Sequence, residues 1–195
     1  MAEERAATAL VGGVALLERA VTYALGNLQL VTAAALSRST PCREWDLRTL
    51  LRHIDDSLIA LHDAVEVGYV DLDPAGGASH RDPVGVLKDR ACRVLGAWTN
   101  AGSRAASMSI AGCPVTGGIV TAVGAVEVAV HGWDVAEACG HPRPIPPALA
   151  EDLLELAPLF VTDTDRPARF AARVEVPPLA NPSDRLVAFL GRRPF

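Results

Sequence analysis

The sequence predicts an all-α protein in which four substantial helices form a bundle, an expectation that rests on periodicity, composition and punctuation. Apolar residues recur every three or four positions along most of the chain, the period of an amphipathic helix. Alanine fills 33 of 195 positions while aromatics make up 5%. Alanine is the strongest intrinsic helix former, so this composition favours helices in close approach. Stretches bearing proline and glycine separate the periodic segments, as the connections of a bundle do. Half of the residues are apolar and 21% are charged, enough to bury a core without disulfides or a structural metal. One domain is expected over residues 1–195, with 163–195 as a proline-rich tail.

A first helix is predicted over about Glu4 to Leu30, with Leu10, Val14, Leu17, Val21 and Leu25 on one face. Pro41 bars a helix from crossing the loop Ser37 to Trp45. Asp46 is a natural N-cap for a second helix to about Gly68, whose apolar face is Leu47, Leu50, Leu51, Ile54, Leu58 and Leu61. Asp71 to Pro83 holds two prolines and two glycines and reads as a connection. A third helix follows over about Val84 to Ala101. Met108 to Ile110 is a candidate strand ahead of turns at Gly112-Cys-Pro and Gly117-Gly118. The fourth helix, about Ile119 to Cys139, stops at Gly140, a natural left-handed cap with Pro142 soon after. A fifth, shorter helix is expected over Pro147 to Val161. The tail offers a strand at Arg173 to Val176 and a short helix near Asp184 to Leu190.

The net charge of −5 and the lack of a basic cluster argue against nucleic-acid binding. At the N-terminus Glu3 and Glu4 outnumber Arg5, and the apolar stretch runs into Glu18 and Arg19, unlike a secretory signal. The apolar run Ile119 to Val130 is interrupted by Glu127 and falls short of the roughly 18 residues of a membrane span. Cys42, Cys92, Cys113 and Cys139 are far apart, with neither zinc-ribbon nor disulfide-framework spacing. A cytoplasmic protein without membrane partners is therefore expected.

The fourth helix carries the chemistry. Glu127 and His131 lie four residues apart, hence on one helical face, amid Val126, Val128, Ala129 and Val130. They can supply a carboxylate oxygen and an imidazole nitrogen to a metal, or form an i,i+4 pair on a solvated stripe. An ionised carboxylate buried there needs a partner. His53, beside Leu50 and Ile54 on the second helix, is the best third ligand; its alternative is a hydrogen-bonded core residue. His62, His80 and His141 are weaker candidates, the first near a helix end and the others in loops. Two histidines and one carboxylate leave a tetrahedral divalent ion one open position, as in catalytic zinc sites, although nickel, manganese or iron also suits such donors.

Asp134, three residues beyond His131, either accepts the second ring proton of that histidine or faces solvent, and Asp56 stands in the same relation to His53. Trp45 and Trp133 are read as packing residues, and Cys42 as a small buried hydrophobe. Arg52, Arg81 and Arg90 are candidates to meet an anionic thiol or substrate, with orientations that the sequence does not fix.

Thr40-Pro-Cys-Arg-Glu-Trp-Asp-Leu-Arg-Thr-Leu-Leu-Arg-His53 and Glu127-Val-Ala-Val-His-Gly-Trp-Asp134, the latter ahead of Ala138-Cys-Gly140, resemble the paired motifs of the mycothiol-dependent maleylpyruvate isomerase N-terminal domain family, of the DinB-like superfamily. The segment Asn181-Pro-Ser-Asp-Arg-Leu-Val-Ala-Phe-Leu-Gly191 resembles the closing stretch of single-domain actinobacterial relatives. The resemblance implies a DinB-like four-helix bundle holding one divalent metal, usually zinc, on His53, Glu127 and His131. It further implies mycothiol as a thiol cosubstrate activated on the metal, with a small electrophile as its partner. The isomerase carries an additional C-terminal domain, for which Val174 to Phe195 is too short. Maleylpyruvate is therefore not the expected substrate. A thiol S-transferase or isomerase-like enzyme is the leading expectation, a non-catalytic metal-binding or sensing module the alternative, and a homodimer is compatible with a small bundle.

Overall fold

The computed structural model describes residues 12–42, 44–70, 82–102, 107–166 and 168–194. Among these residues six α-helices carry the fold: α1 (Gly13–Leu28), α2 (Leu47–Glu66), α3 (Pro83–Thr99), α4 (Gly117–Ala138), α5 (Pro147–Phe160) and α6 (Pro182–Phe189). Three short strands, β1 (Tyr69–Val70), β2 (Met108–Ile110) and β3 (Cys113–Val115), form a small sheet in the order β1-β2-β3. The architecture is the helix bundle that the periodicity predicts. The N-terminal part of the first predicted helix and most of the 71–83 connection, with His80 and Arg81, lie outside the described residues.

Local chemistry sets the helix ends. The Asp46 carboxylate accepts from the Thr49 amide at 2.8 Å and starts α2 as expected. Asp82 does the same for the Gly85 amide at 2.9 Å, with Pro83 opening α3. Both devices satisfy amide donors that a helix start leaves free. At the end of α4, Gly140 takes φ 74° while the His141 amide returns to the Ala136 carbonyl at 3.1 Å. That is the left-handed cap expected of the glycine.

Four expectations are corrected. The first helix stops at Leu28 rather than Leu30, because the Leu30 and Val31 amides turn back to the Asn27 and Leu28 carbonyls in tight turns. Gly117 and Gly118 open α4 instead of forming a turn, with Gly117 buried. The turn between β2 and β3 falls one residue early, on Ala111 (φ 47°) and Gly112 (φ 81°), and leaves Cys113 and Pro114 in an edge strand. Two consecutive positive φ angles suit the twist of a two-residue hairpin, and an edge strand tolerates proline. No strand forms at Arg173 to Val176: the Val174 amide bonds the Ala188 carbonyl at the end of α6.

Helix α4 is the central element, packed by α1, α2 and α5. It is long and apolar enough to cross a bilayer, yet most of it is buried among its neighbours. Helix α1 packs closely on it at Gly132, where a Cβ atom would stand 3.0 Å from both Cα and Cβ of Ala24. Asn27 Nδ2 ties the same contact by donating to the Gly132 carbonyl at 3.0 Å. The chain after α5 returns to this core: Leu186, Val187 and Leu190 are buried in it. Ser183 Oγ accepts from the Ile145 amide at 2.9 Å. The tail thus ends beside α4, over the polar residues described next.

Candidate metal centre

A cleft of about 1280 Å³ opens where α2, α4, the Pro41–Trp45 loop and the tail meet. Its helical wall bears Val126, Glu127, Val130 and His131 from α4 and His53 from α2. The opposite wall comes from the tail, through Phe170, Arg173, Gly191 and Arg192. The pitch of α4 puts Glu127 and His131 one above the other. The phase of α2, fixed by buried Leu50, Leu51 and Ile54, leaves His53 at the edge of its apolar face with 37% of its side chain exposed.

The side chains converge on one carboxylate oxygen. Glu127 Oε1 is 2.5 Å from His53 Nε2 and 3.1 Å from His131 Nε2. One donor atom from each residue lies within 4.8 Å of the other two. Ser57 Oγ, one turn beyond His53, donates to the same oxygen at 3.4 Å. Trp45 packs on the His53 ring at a centroid distance of 4.8 Å. Glu44, beside it, has φ 70°, a strained value for a residue with a side chain, and lines the cleft.

Behind His131 lies a second polar layer. Asp134, with no exposed side-chain surface, offers Oδ2 to His131 Nδ1 at 2.9 Å. Arg192 Nη2 donates to that oxygen at 2.9 Å and Cys42 Sγ at 3.2 Å. Arg192 Nη2 also lies 3.3 Å from Cys42 Sγ. Cys42 is therefore a half-buried polar participant rather than the small buried hydrophobe expected. Cys42, His131 and Asp134 could in principle form a metal set of their own. The Arg192 guanidinium already occupies the cation position among them, which leaves that set satisfied without an ion.

Charge and burial act against each other at each of these groups. Burial raises the Glu127 carboxyl, but the charge of His131, with hydrogen bonds from His131 and His53, outweighs it and holds the group well below its ordinary range. Burial lowers the His131 imidazole, but the Glu127 charge, then hydrogen bonds with Asp134, Cys42 and Glu127, push it well above its ordinary value. Burial raises Asp134, whereas the Arg192 charge and the His131 hydrogen bond bring it down to about 2. A carboxylate held ionised between two imidazoles at the floor of a cleft is a donor set suited to a divalent cation. With Asp134 fixing Nδ1–H, His131 presents Nε2 towards the shared oxygen.

The other predicted residues lie elsewhere. Among the described residues no hydrogen bond joins Asp56 to His53; the neighbouring Asp55 is the buried acid, and it pairs with Arg90 Nε at 2.5 Å. Arg90 thus joins α3 to α2 and is absent from the cleft lining, and Arg52 is exposed. His62 lies 3.8 Å from Asp63, and His141 is exposed. Trp133 is buried in the core. The sequence offered no periodicity or motif that singled out Arg192, and Ser57 reads as an ordinary polar helix residue.

Residues 17–136 match the family described as the mycothiol maleylpyruvate isomerase N-terminal domain. Two uncharacterized proteins of Mycobacterium tuberculosis, Rv0738 of strain H37Rv and MT0763 of strain CDC 1551, are each 28% identical over 165 residues. Each alignment covers 83% of this chain and 87% of the relative. No solved structure matches the chain. The matched span contains most of α1, all of α2 and α3 and nearly all of α4, with His53, Glu127 and His131, so the chain belongs to the mycothiol maleylpyruvate isomerase N-terminal domain family.

Proposed function

We propose that His53, Glu127 and His131 hold a divalent metal, zinc for preference, and that the protein is an enzyme using a low-molecular-weight thiol of the mycothiol type against a small electrophile. The observation that carries this reading is the convergence of two imidazole nitrogens on one ionised carboxylate at the floor of a large open cleft. When bound, the ion would supply a Lewis-acid position that keeps a thiol sulfur ionised near neutral pH.

The chain's own residues supply the rest. Asp134 holds His131 Nδ1–H, so that Nε2 remains available as a donor. Trp45, Val126 and Val130 give the floor an apolar rim, which lowers the local dielectric around a sulfur placed there. Arg169, Arg173 and Arg193 also line the cleft, against Glu44 and Glu127. Their excess favours an electrophile or thiol that carries negative charge. In the transfer reaction the sulfur lone pair forms the new carbon–sulfur bond as the leaving group departs with its own pair, the thiol proton having passed to solvent. The cytoplasm, where small thiols stay reduced, is the compartment this chemistry implies.

Elemental analysis of the purified protein beside His53→Ala and Glu127→Ala tests the site. Near-stoichiometric metal in the native protein and its loss from both variants is expected, with loss of mycothiol-dependent turnover in parallel. Native protein that takes up no metal after reconstitution, or variants that keep it, overturns the reading. Stoichiometric metal without turnover across a panel of electrophiles assigns the site to a non-catalytic binding module instead.

A further inference from the structure

Arg192 reaches the buried layer behind His131 from the other end of the chain. It lies 58 positions beyond Asp134 and outside the span matched to the family. Its backbone is fixed on its own account. Gly191, at φ 83°, sits so close to Ala171 that a Cβ would meet it at 2.8 Å. The Arg192 amide returns to the Val187 carbonyl at 2.9 Å, capping α6. The guanidinium therefore approaches Asp134 from a rigid helix end, with Nη2 on Oδ2 at 2.9 Å and Nε near Oδ1 at 3.4 Å.

That two-point grip has a geometric consequence. A carboxylate held by one imidazole alone can rotate about its terminal bond, and the ring it holds can follow. A guanidinium gripping both oxygens fixes the carboxylate plane. The Cys42 thiol, a weak donor at 3.2 Å, cannot do this by itself.

We infer that Arg192 is a positioning residue: by fixing the Asp134 carboxylate it fixes the ring plane in which His131 presents Nε2 to Glu127 and the cleft. The C-terminal tail thereby becomes a working part of the centre that α2 and α4 build. The orienting role stands on geometry alone, while its effect on metal affinity rests on the metal centre proposed above.

Two readouts test it on the full-length protein. In metal-free wild type the His131 Nδ1–H proton is expected as a protected, downfield nuclear magnetic resonance signal. It should be lost to solvent exchange in Arg192→Ala and only partly retained in Arg192→Lys, whose single ammonium keeps the charge but cannot grip both oxygens. Zinc affinity, read by competition with a chromophoric chelator, should fall about 10- to 100-fold in Arg192→Ala, the usual effect of removing a partner behind a ligand, and by less in Arg192→Lys. Should Arg192→Ala fail to fold, the shorter, uncharged but still polar Arg192→Gln takes its place with the same expectations. An unchanged proton signal, or unchanged zinc affinity, in the folded variant overturns the inference. A wild type that takes up no zinc removes the proposed metal centre, and the proton signal then decides the role of Arg192 alone.

Discussion

Asp134 accepts three donors on one oxygen in a position that water does not reach, and its ionisation is bound up with folding. Its ordinary value of 3.8 falls to about 2 in the folded protein, where burial is overcome by Arg192 and His131. A carboxyl lowered by folding stabilises the native state above its unfolded value, and that contribution disappears as pH falls through the folded value. The window runs from about pH 4 to about pH 2, and the pH-dependent part is on the order of 2 kcal/mol. Asp134→Asn should therefore lower stability at neutral pH and flatten the acid limb of the stability profile in that window. Urea unfolding across a pH series reads both effects; a variant that keeps the wild-type acid limb would show that another group is responsible. The sequence offered Asp134 as a partner for His131 because the two lie three apart on a helix, so their meeting was legible. Cys42 and Arg192 come from a loop and from a chain end, where no helical period specifies which way a side chain points.

Helix α4 shows what periodicity can and cannot specify. Its existence and its glycine stop were evident in the sequence. Its start was not, because Gly117 and Gly118 read as a turn until a neighbouring helix is there to bury Gly117. Helix α2 could be phased from its apolar face and the Glu127–His131 pair from its four-residue spacing, and the structure brings these residues and His53 together. The tail could not be phased, since its course depends on single contacts such as the Val174 amide on the Ala188 carbonyl. Gly132 gives this element a testable contact. Replacing it with alanine gains about 1 kcal/mol of helix propensity. Against that, the new Cβ would lie 3.0 Å from Ala24 Cα and Cβ, where backbone has to move, and the Asn27 bond to the Gly132 carbonyl would be strained. Overpacking of this kind costs about 1–3 kcal/mol, and loss of a buried hydrogen bond roughly a further 1 kcal/mol. Gly132→Ala should be destabilised by about 1–3 kcal/mol in denaturant unfolding, the clash outweighing the propensity gain. A variant as stable as wild type would mean that α1 shifts away from α4 freely.

Across the whole molecule the centre connects parts that are distant in sequence. His53 belongs to α2, Glu127 and His131 to α4, and Arg192 to the tail beyond α6, all facing one cleft. An ion bound to the three donors engages only the folded chain, since the unfolded chain separates His53 from Glu127 by 74 positions. Binding of that kind stabilises by mass action, by about 2.7 kcal/mol when free zinc exceeds its dissociation constant a hundredfold. For a chain of this size each kcal/mol raises the unfolding midpoint by about 2–4 °C. The native protein should therefore gain about 5–10 °C in a thermal scan under those conditions. Without metal, the ionised Glu127 between His53 and His131 already satisfies the site, so the apo protein should still unfold in one cooperative transition. His131→Ala removes one of the two imidazole donors and should abolish the zinc-induced gain, whatever it does to the apo midpoint. A gain of equal size in that variant would place zinc elsewhere on the protein. Absence of any gain in the native protein, with the fold intact, would leave the three residues as an ion-paired cluster that holds α2 against α4.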